Sequence, residues 1–455
     1  MLRYVSHSHR GVNPLLPAII TGMAAGPAVD LPIRRNTVLL AGVLAVNSAV
    51  LQLVAAVSSL TFVLVTGFEK LLGLGPAIFL VSSALTAVPA GRLMDRVGRI
   101  PVIAGGFALG AIGCWLTALG TATDSAVAVI CGFALIGSSS GIALLVRTAA
   151  GDMYPAARRA RGISYVLFGA VFGAILGPAF FSPLFSGKEL DADVLTIPWI
   201  AAGFISCIAL GLALAVRPDP KRIAEQIAPD TGVVAGPAAP LKEIIRRPGV
   251  IPALLAGFAS MGVMVSVMNL TGYIVVDHRH HAQNLIFPII GAHVLGMYAL
   301  VLFIGALIDR IGRMTALVAG LTLMGVSCAS LQFLESVPAT AVLLFGLGLG
   351  WNLSFVAATA ELADRSSPVE RGKLLGFNDF GSAMFGAALA LLGGAALEAI
   401  GVAALALGAA AIVLLPIVLI YRMGAGGFEP PKAEPTGLQP VPFGHSGTPP
   451  GERGL

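Results

Sequence analysis

The chain has 455 residues, of which 56% are hydrophobic and only 11% are charged, and its formal net charge is +5. A soluble domain carries about 25% charged residues, so the composition excludes soluble, disordered, collagen-like and disulfide-stapled classes. The four cysteines lie inside apolar runs and outline no disulfide framework. The composition predicts an all-α polytopic membrane protein.

Twelve apolar segments follow one another along the chain, each close to the roughly 20 residues that one membrane-spanning helix needs. We number them spans 1 to 12, and they cover residues 38–66, 71–90, 101–120, 125–149, 162–186, 196–216, 249–276, 285–308, 314–333, 338–362, 373–397 and 400–421.

The polar stretches between and around these spans predict five regions. They are a cytoplasmic N-terminal tail, an N-terminal half of six helices, a charged and Pro-rich linker, a C-terminal half of six helices, and a Pro- and Gly-rich tail that we expect to be disordered. Their predicted bounds are 1–36, 37–216, 217–248, 249–423 and 424–455.

Basic residues are distributed unevenly between the loops. The loops after odd-numbered spans contain only Lys70, Lys188 and Arg279, whereas the loops after even-numbered spans and the tails contain nearly all other Lys and Arg residues. Cytoplasmic loops of membrane proteins are enriched in Lys and Arg. Both termini and the even-numbered loops are therefore predicted to be cytoplasmic, in a plasma-membrane protein.

A nine-residue motif occurs twice, 214 residues apart. Residues 91–99 read GRLMDRVGR after span 2, and residues 305–313 read GALIDRIGR after span 8. A second echo links Asp152 and Arg161-Gly162, after span 4, to Asp364 and Arg371-Gly372, after span 10. The repeat predicts two related halves of six helices each.

Twelve spans with this motif in duplicate resemble the major facilitator superfamily. The resemblance implies a secondary transporter that works by alternating access, and it implies that the motif latches the cytoplasmic side. The residues concerned are Gly91, Asp95, Arg96, Gly98, Arg99, Gly305, Asp309, Arg310, Gly312 and Arg313. We expect Gly91 and Gly305 to permit close approach of helices. Arg147 is interpreted either as a partner of Asp95 or as a side chain that extends to the membrane interface.

Several polar side chains lie within the spans, where such groups mark substrate or ion pathways. Because few of them are charged, the pathway is not built for a strongly ionic organic substrate. The candidates for substrate binding or proton coupling are Asn47, Gln52, Asn269, Asn352, Glu361 and Asp379.

Sulfur is concentrated in spans 7 and 8. Met264 and Met268 form an M-x-x-x-M pair, and His293 and Met297 form an H-x-x-x-M pair. A spacing of four places both members of a pair on one helix face, and thioether with imidazole suits copper. If the two helices are adjacent, these four residues form a copper site, with copper as the transported substrate rather than a cofactor.

The same pattern is similar to that of the CcoA-like copper importers of the superfamily, whose relatives include riboflavin importers. The resemblance implies that Met264, Met268, His293 and Met297 handle copper. The loop between spans 7 and 8 adds His278, His280 and His281, which we interpret either as a capture site for a scarce metal or as an ordinary polar loop.

The alternative function is import, or proton-coupled antiport, of a small organic solute that is riboflavin-like or drug-like. In span 5, Gly169, Gly173 and Gly177-Pro178 resemble an antiporter motif, but Phe180, Phe181 and Ser182 replace its last glycines. Such spacing is also ordinary helix packing.

No nucleotide-binding loop, nucleophile constellation or metal-hydrolase spacing is present in the sequence. We therefore expect neither an enzyme nor an ATP-driven pump. The predicted partners are the lipid bilayer and a small substrate or metal ion, with no nucleic acid and no ATP. The predicted state is a monomer, driven by a gradient of an ion or of the substrate.

Overall fold

The computed structural model describes residues 32–155, 158–188, 191–227 and 239–422. Twelve helices within these residues are long and apolar enough to cross a membrane, which confirms the predicted all-α multi-pass protein. We label them α1 to α12, so that each bears the number of its span. Most of both tails and the middle of the linker lie outside the described residues.

The helices of the N-terminal half are α1 Ile33–Thr66, α2 Leu74–Val97, α3 Arg99–Ala122, α4 Ala126–Ala143 with Val146–Asp152, α5 Arg159–Phe185 and α6 Ala192–Leu214. Those of the C-terminal half are α7 Val250–Tyr273, α8 Ile286–Tyr298 with Val301–Ile311, α9 Arg313–Ser330, α10 Val337–Asp364, α11 Pro368–Ile400 and α12 Val402–Arg422.

Some helices begin earlier than hydropathy predicts. The helix α11 starts at Pro368, five residues before the apolar segment, because Ser367 and Glu370 form a capping box around its first turn. The helix α1 also starts early, at Ile33, directly after Pro32 and without a side-chain capping hydrogen bond. Apolar content marks the part of a helix that lies in lipid, and the helix itself extends beyond that part at these two ends.

The duplicated motif builds a similar ion pair in each half. Arg99 contacts Asp95 and Asp152, each at 2.7 Å, and the equivalent Arg313 contacts Asp364. These pairs lie at one end of the bundle, which we call the basic end. It carries the loops after the even-numbered helices and the linker. The ion pairs confirm that the sequence repeat is a structural repeat.

The two halves contact each other closely at the end opposite the basic end. In α7, a Cβ at Gly272 would overlap the carbonyl oxygen of Ala56 in α1. The Ser59 hydroxyl donates to the Asn269 carbonyl at 3.3 Å. We call this region, where α1 meets α7, the closed seam. It brings the backbones of the two halves together.

Two further helix pairs extend the contact between the halves. A Cβ at Gly73, before α2, would overlap the carbonyl oxygen of Ala390 in α11. Phe287 in α8 stacks on Phe181 in α5, with ring centroids 6.0 Å apart. The halves are therefore joined by contacts between α1 and α7, α2 and α11, and α5 and α8.

The glycines of α5 pack against α1. A Cβ at Gly169 would overlap the Ala41 carbonyl oxygen, and a Cβ at Gly173 would overlap that of Ala45. The glycine spacing of span 5 thus serves close helix packing within the N-terminal half.

The linker is attached to both halves. On the N-terminal side, the Asp219 carboxylate accepts hydrogen bonds from the backbone N–H groups of Arg99 and Ile100, at 3.1 and 2.9 Å. On the C-terminal side, both Nη atoms of Arg247 donate to Glu370, at 2.7 and 2.8 Å. This bidentate pair holds the pKa of the Glu370 carboxyl well below its usual range.

Candidate functional site

The two motif glycines that precede α3 and α9 are required by the backbone. Gly98 has φ 105° and Gly312 has φ 83°, a region that residues with a Cβ rarely adopt. By contrast, a Cβ at Gly91 or Gly305 would meet nothing within 4 Å. The expectation that these two glycines permit close helix approach is therefore wrong for this structure, because both face open space.

The charged latch residues stay within their own halves in the described structure. Asp95 and Arg99 pair with each other, and Arg96 and Arg310 are exposed. The side chain of Asp309 lies outside the described residues. The latch role of the motif stays a prediction.

Arg147 binds a different partner from the one expected. Its Nη2 donates to Asp379 Oδ2 at 2.5 Å, and each side chain is 37% exposed. Arg147 belongs to α4 and Asp379 to α11, so this ion pair joins the two halves. The prediction that Arg147 pairs with Asp95 is wrong. The fold places Asp379 of α11 beside Arg147, and Asp95 forms its ion pair with Arg99.

Three aromatic side chains of the C-terminal half form what we call the aromatic wall. Trp351 and Phe355 of α10 stack with ring centroids 5.3 Å apart and planes at 17°. Tyr298 of α8 meets Trp351 edge-on at 6.2 Å. The helix α10, which carries Trp351 and Phe355, contacts α11, which carries Asp379 of the ion pair between the halves.

Sequence reasoning missed the aromatic wall. Trp351 and Phe355 are four residues apart in an apolar span, a spacing that indicates a shared helix face. Nothing in that spacing distinguishes a face toward the other half from a face toward lipid. The Trp351 indole N–H is buried without a hydrogen-bond partner in the described part of the chain, although a buried indole N–H usually finds one.

Most of the other polar candidates have protein partners. Gln52 Nε2 donates to the Gly173 carbonyl at 2.6 Å, and Asn269 Nδ2 donates to the Val265 carbonyl at 2.7 Å. Both side-chain carbonyl oxygens are buried and lack a partner among the described residues. These two residues offer acceptors close to the contacts between the halves.

The remaining polar candidates lie elsewhere. Asn352 donates to the Met297 carbonyl at 2.6 Å, and Glu361 pairs with Arg365 at 2.8 Å. Asn47 lines a cavity of about 10 Å³ inside the N-terminal half, which has room for a single water. Asp379 is thus the candidate whose side chain forms an ion pair with the opposite half.

One ring nitrogen of His293 is hydrogen-bonded, and the other has no partner among the described residues. Its Nδ1 lies 2.8 Å from the Leu344 carbonyl oxygen, which makes it the donor. The side chain is fully buried, and Nε2 has no partner in the part of the chain that the structure describes. A backbone carbonyl on one nitrogen is typical of histidines that bind a metal through the other.

The methionine and histidine quartet is carried by two helices that are not each other's main neighbours. The helix α7, with Met264 and Met268, packs mainly against α11, α10 and α1, whereas α8, with His293 and Met297, packs mainly against α10 and α5. Met264 and Met297 are buried and Met268 is half-buried. The structure thus does not show a common ligand point, and the copper site stays a prediction.

The histidines of the loop between α7 and α8 have separate neighbours. The His278 ring packs against Tyr273, with centroids 5.6 Å apart, and His281 Nε2 lies 3.0 Å from the Glu335 carbonyl oxygen. His280 is exposed. In the described residues, no three His, Cys, Asp or Glu side chains form a group that could hold a metal.

Comparison with known proteins identifies a family and several relatives that this chain resembles in sequence. The profile of the Major Facilitator Superfamily matches residues 69–292 and 276–449. The chain is 31% identical over 364 residues to the riboflavin transporter RfnT of Brucella anthropi, covering 78% of this chain and 86% of that one. It is 29% identical to the uncharacterized transporter YdeG of Bacillus subtilis, covering 78% and 84%.

Solved structures share the fold. The xylose transporter XylE of E. coli in its inward open conformation aligns with a TM-score of 0.64 at 13% identity, covering 88% of this chain and 98% of that one. The human organic anion transporter MFSD10 aligns with a TM-score of 0.59 at 18% identity, covering 86% and 100%. The chain belongs to the major facilitator superfamily and is a transporter.

Proposed function

We propose that this major facilitator superfamily transporter takes up a small, uncharged organic solute with a flat ring system, of the chemical class of riboflavin. The observation that carries the proposal is the aromatic wall of Tyr298, Trp351 and Phe355. The wall's helix α10 contacts α11, which carries Asp379 of the ion pair between the halves. The Met/His copper site, by comparison, is divided between two helices that are not each other's main neighbours.

The wall suits a flat ring because aromatic faces stack with a favourable energy of about 1 kcal/mol per pair beyond burial. Arg147 and Asp379 neutralise each other, so the surroundings favour a solute without net charge. The 31% identity to a riboflavin transporter supports the same substrate class.

Direction and energy source are part of the proposal. The basic end faces the cytoplasm of the plasma membrane, as the distribution of Lys and Arg indicates. The closed seam then lies on the outer side, and the solute is released at the basic end. The transporter works as a monomer, and a proton or other ion gradient drives it without nucleotide.

Riboflavin uptake by a bacterial riboflavin auxotroph tests the proposal. Cells that express the wild type are expected to accumulate labelled riboflavin well above vector-only cells. Trp351→Ala is expected to lower the rate about tenfold, because stacking and orientation are lost. Trp115→Ala is the matched control, since the Trp115 side chain packs against Phe204 at the surface of the N-terminal half.

Two results would contradict riboflavin-class uptake. One is accumulation no greater than in vector-only cells at equal protein level. The other is an equal effect of the two tryptophan substitutions, since the wall would then contribute nothing specific to transport.

A copper ion is the second candidate cargo, and the free Nε2 of His293 favours it. A neutral thioether and imidazole set would bind copper and still release it. Labelled-copper accumulation is compared between the wild type, Met264→Ala and His293→Ala. If the variants accumulate as much copper as the wild type, the His293 site does not carry copper.

A further inference from the structure

We propose that Arg147 and Asp379 together recognise a cyclic lactam or imide edge, in which a ring carbonyl lies beside a ring N–H. This inference rests on the proposed function and specifies it: the ring stacks on the aromatic wall while its edge binds the ion pair. The solute class is thereby narrowed to heterocycles with such an edge, as in flavins.

The ion pair has unused hydrogen-bonding capacity. A single hydrogen bond links Arg147 Nη2 to Asp379 Oδ2, while a guanidinium has five N–H donors and a carboxylate has two oxygens. In the described residues the other N–H groups of Arg147 and the Oδ1 atom of Asp379 have no protein partner. Each side chain is 37% exposed, so these groups are accessible from the space around the pair.

The unused groups form a donor beside an acceptor. A ring carbonyl accepts from an Arg147 N–H, and the adjacent ring N–H donates to Asp379 Oδ1. An anionic edge would face the Asp379 carboxylate, and a cationic edge would face the Arg147 guanidinium. A neutral edge with one acceptor and one donor satisfies both residues without adding charge, and hydrogen bonds to charged groups are the strong ones.

The ion pair also allows one bound solute to contact both halves of the transporter. Arg147 belongs to α4 and Asp379 to α11, so a solute bound to both residues contacts both halves at once. A site of this kind senses the relative position of the halves, which alternating access changes.

The test compares uptake of riboflavin with uptake of 3-methylriboflavin, in which a methyl group replaces the imide proton and leaves the ring system unchanged. The wild type is expected to prefer riboflavin by about tenfold or more, because a site built to bind an N–H rejects an analogue that lacks it. In Asp379→Ala the ratio of riboflavin uptake to 3-methylriboflavin uptake is expected to fall to about one. In Arg147→Lys riboflavin uptake falls because the planar fork is lost.

Asp191→Asn is the matched control. Asp191 caps α6 by accepting from the Val194 N–H at 2.7 Å, and asparagine is an equally good cap. The Asp191→Asn variant should prefer riboflavin over 3-methylriboflavin as strongly as the wild type does. A binding measurement on the purified wild type, from the fluorescence of the two flavins, gives the same preference without any substitution.

Three outcomes separate a failure of the edge recognition from a failure of the proposed function. Equal uptake and equal binding of the two flavins by the wild type overturn the edge recognition and leave riboflavin-class transport standing. A preference that persists unchanged in Asp379→Ala overturns the role of the ion pair. If the wild type neither binds nor transports either flavin, both this inference and the proposed function fail.

Discussion

The closed seam provides a sharp test of the packing between the halves. In α7, Gly272 lies so close to α1 that a Cβ would overlap the Ala56 carbonyl oxygen. Gly272→Ala therefore forces the two backbones apart wherever the seam is closed. Overpacking of a well-packed site costs about 1–3 kcal/mol, and the cost applies only to the conformation in which the seam is closed.

A cost of that size changes the balance between conformations by about 5- to 150-fold. The Gly272→Ala variant should therefore spend more time open at the end opposite the basic end. The reporter is a cysteine at Ser59, whose hydroxyl lies 3.3 Å from the Asn269 carbonyl oxygen in the seam. The four native cysteines are first replaced, and the rate of labelling by a membrane-impermeant maleimide is measured in intact cells.

Gly211→Ala in α6 is the control, because a Cβ there meets nothing within 4 Å. Both substitutions gain the same helix propensity of about 1 kcal/mol, so a difference between them reports the seam alone. Labelling of Ser59→Cys at the same rate in both backgrounds would refute the close approach of α1 and α7 in the membrane.

Three further predictions concern stability. Gly98→Ala should lower the melting temperature of the detergent-solubilised protein, since a positive φ costs a non-glycine residue about 1–3 kcal/mol, while Gly91→Ala should not lower it, because Gly91 faces open space inside α2 and alanine has the higher helix propensity; equal effects would contradict the assignment. Phe287→Ala removes a fully buried ring from the contact between α5 and α8 and should cost about 3–5 kcal/mol; an unchanged melting temperature would show that the ring is not packed there. Arg247 holds the pKa of Glu370 below its ordinary value of 4.5, so this pair stabilises the fold above about pH 4.5 and the stabilisation is lost as the pH falls toward the lower folded pKa. The melting temperature of the wild type should thus decline more steeply with acidification than that of Glu370→Gln, and parallel declines would disprove the linkage.

The sequence was sufficient for the number of helices and for the two halves. Each backbone polar group in a bilayer must be satisfied within its own helix, so an apolar run of the right length can only be a spanning helix. The duplicated motif identified the halves because the same residues return 214 positions later. The first inference depends on single segments and the second on the match between two of them, and for this reason both hold without knowledge of packing.

The faces of the helices could not be predicted in the same way. Lipid chains are as apolar as leucine, so a spanning helix has no polar stripe that separates its buried side from its lipid side. Val342 and Leu344 of α10 are therefore alike in the sequence, although Val342 is exposed and Leu344 is buried.

Only the tertiary structure decided which polar groups meet. Arg147 is closer in the chain to Asp95 than to Asp379, yet it binds Asp379, which is 232 residues away. Likewise, Gly98 is needed for its positive φ, whereas Gly91 in the same motif faces open space. The sequence by itself determined a transporter of two six-helix halves, because helix formation in a membrane is local. The pairing across the halves, and with it the candidate solute site, depends on how those helices pack.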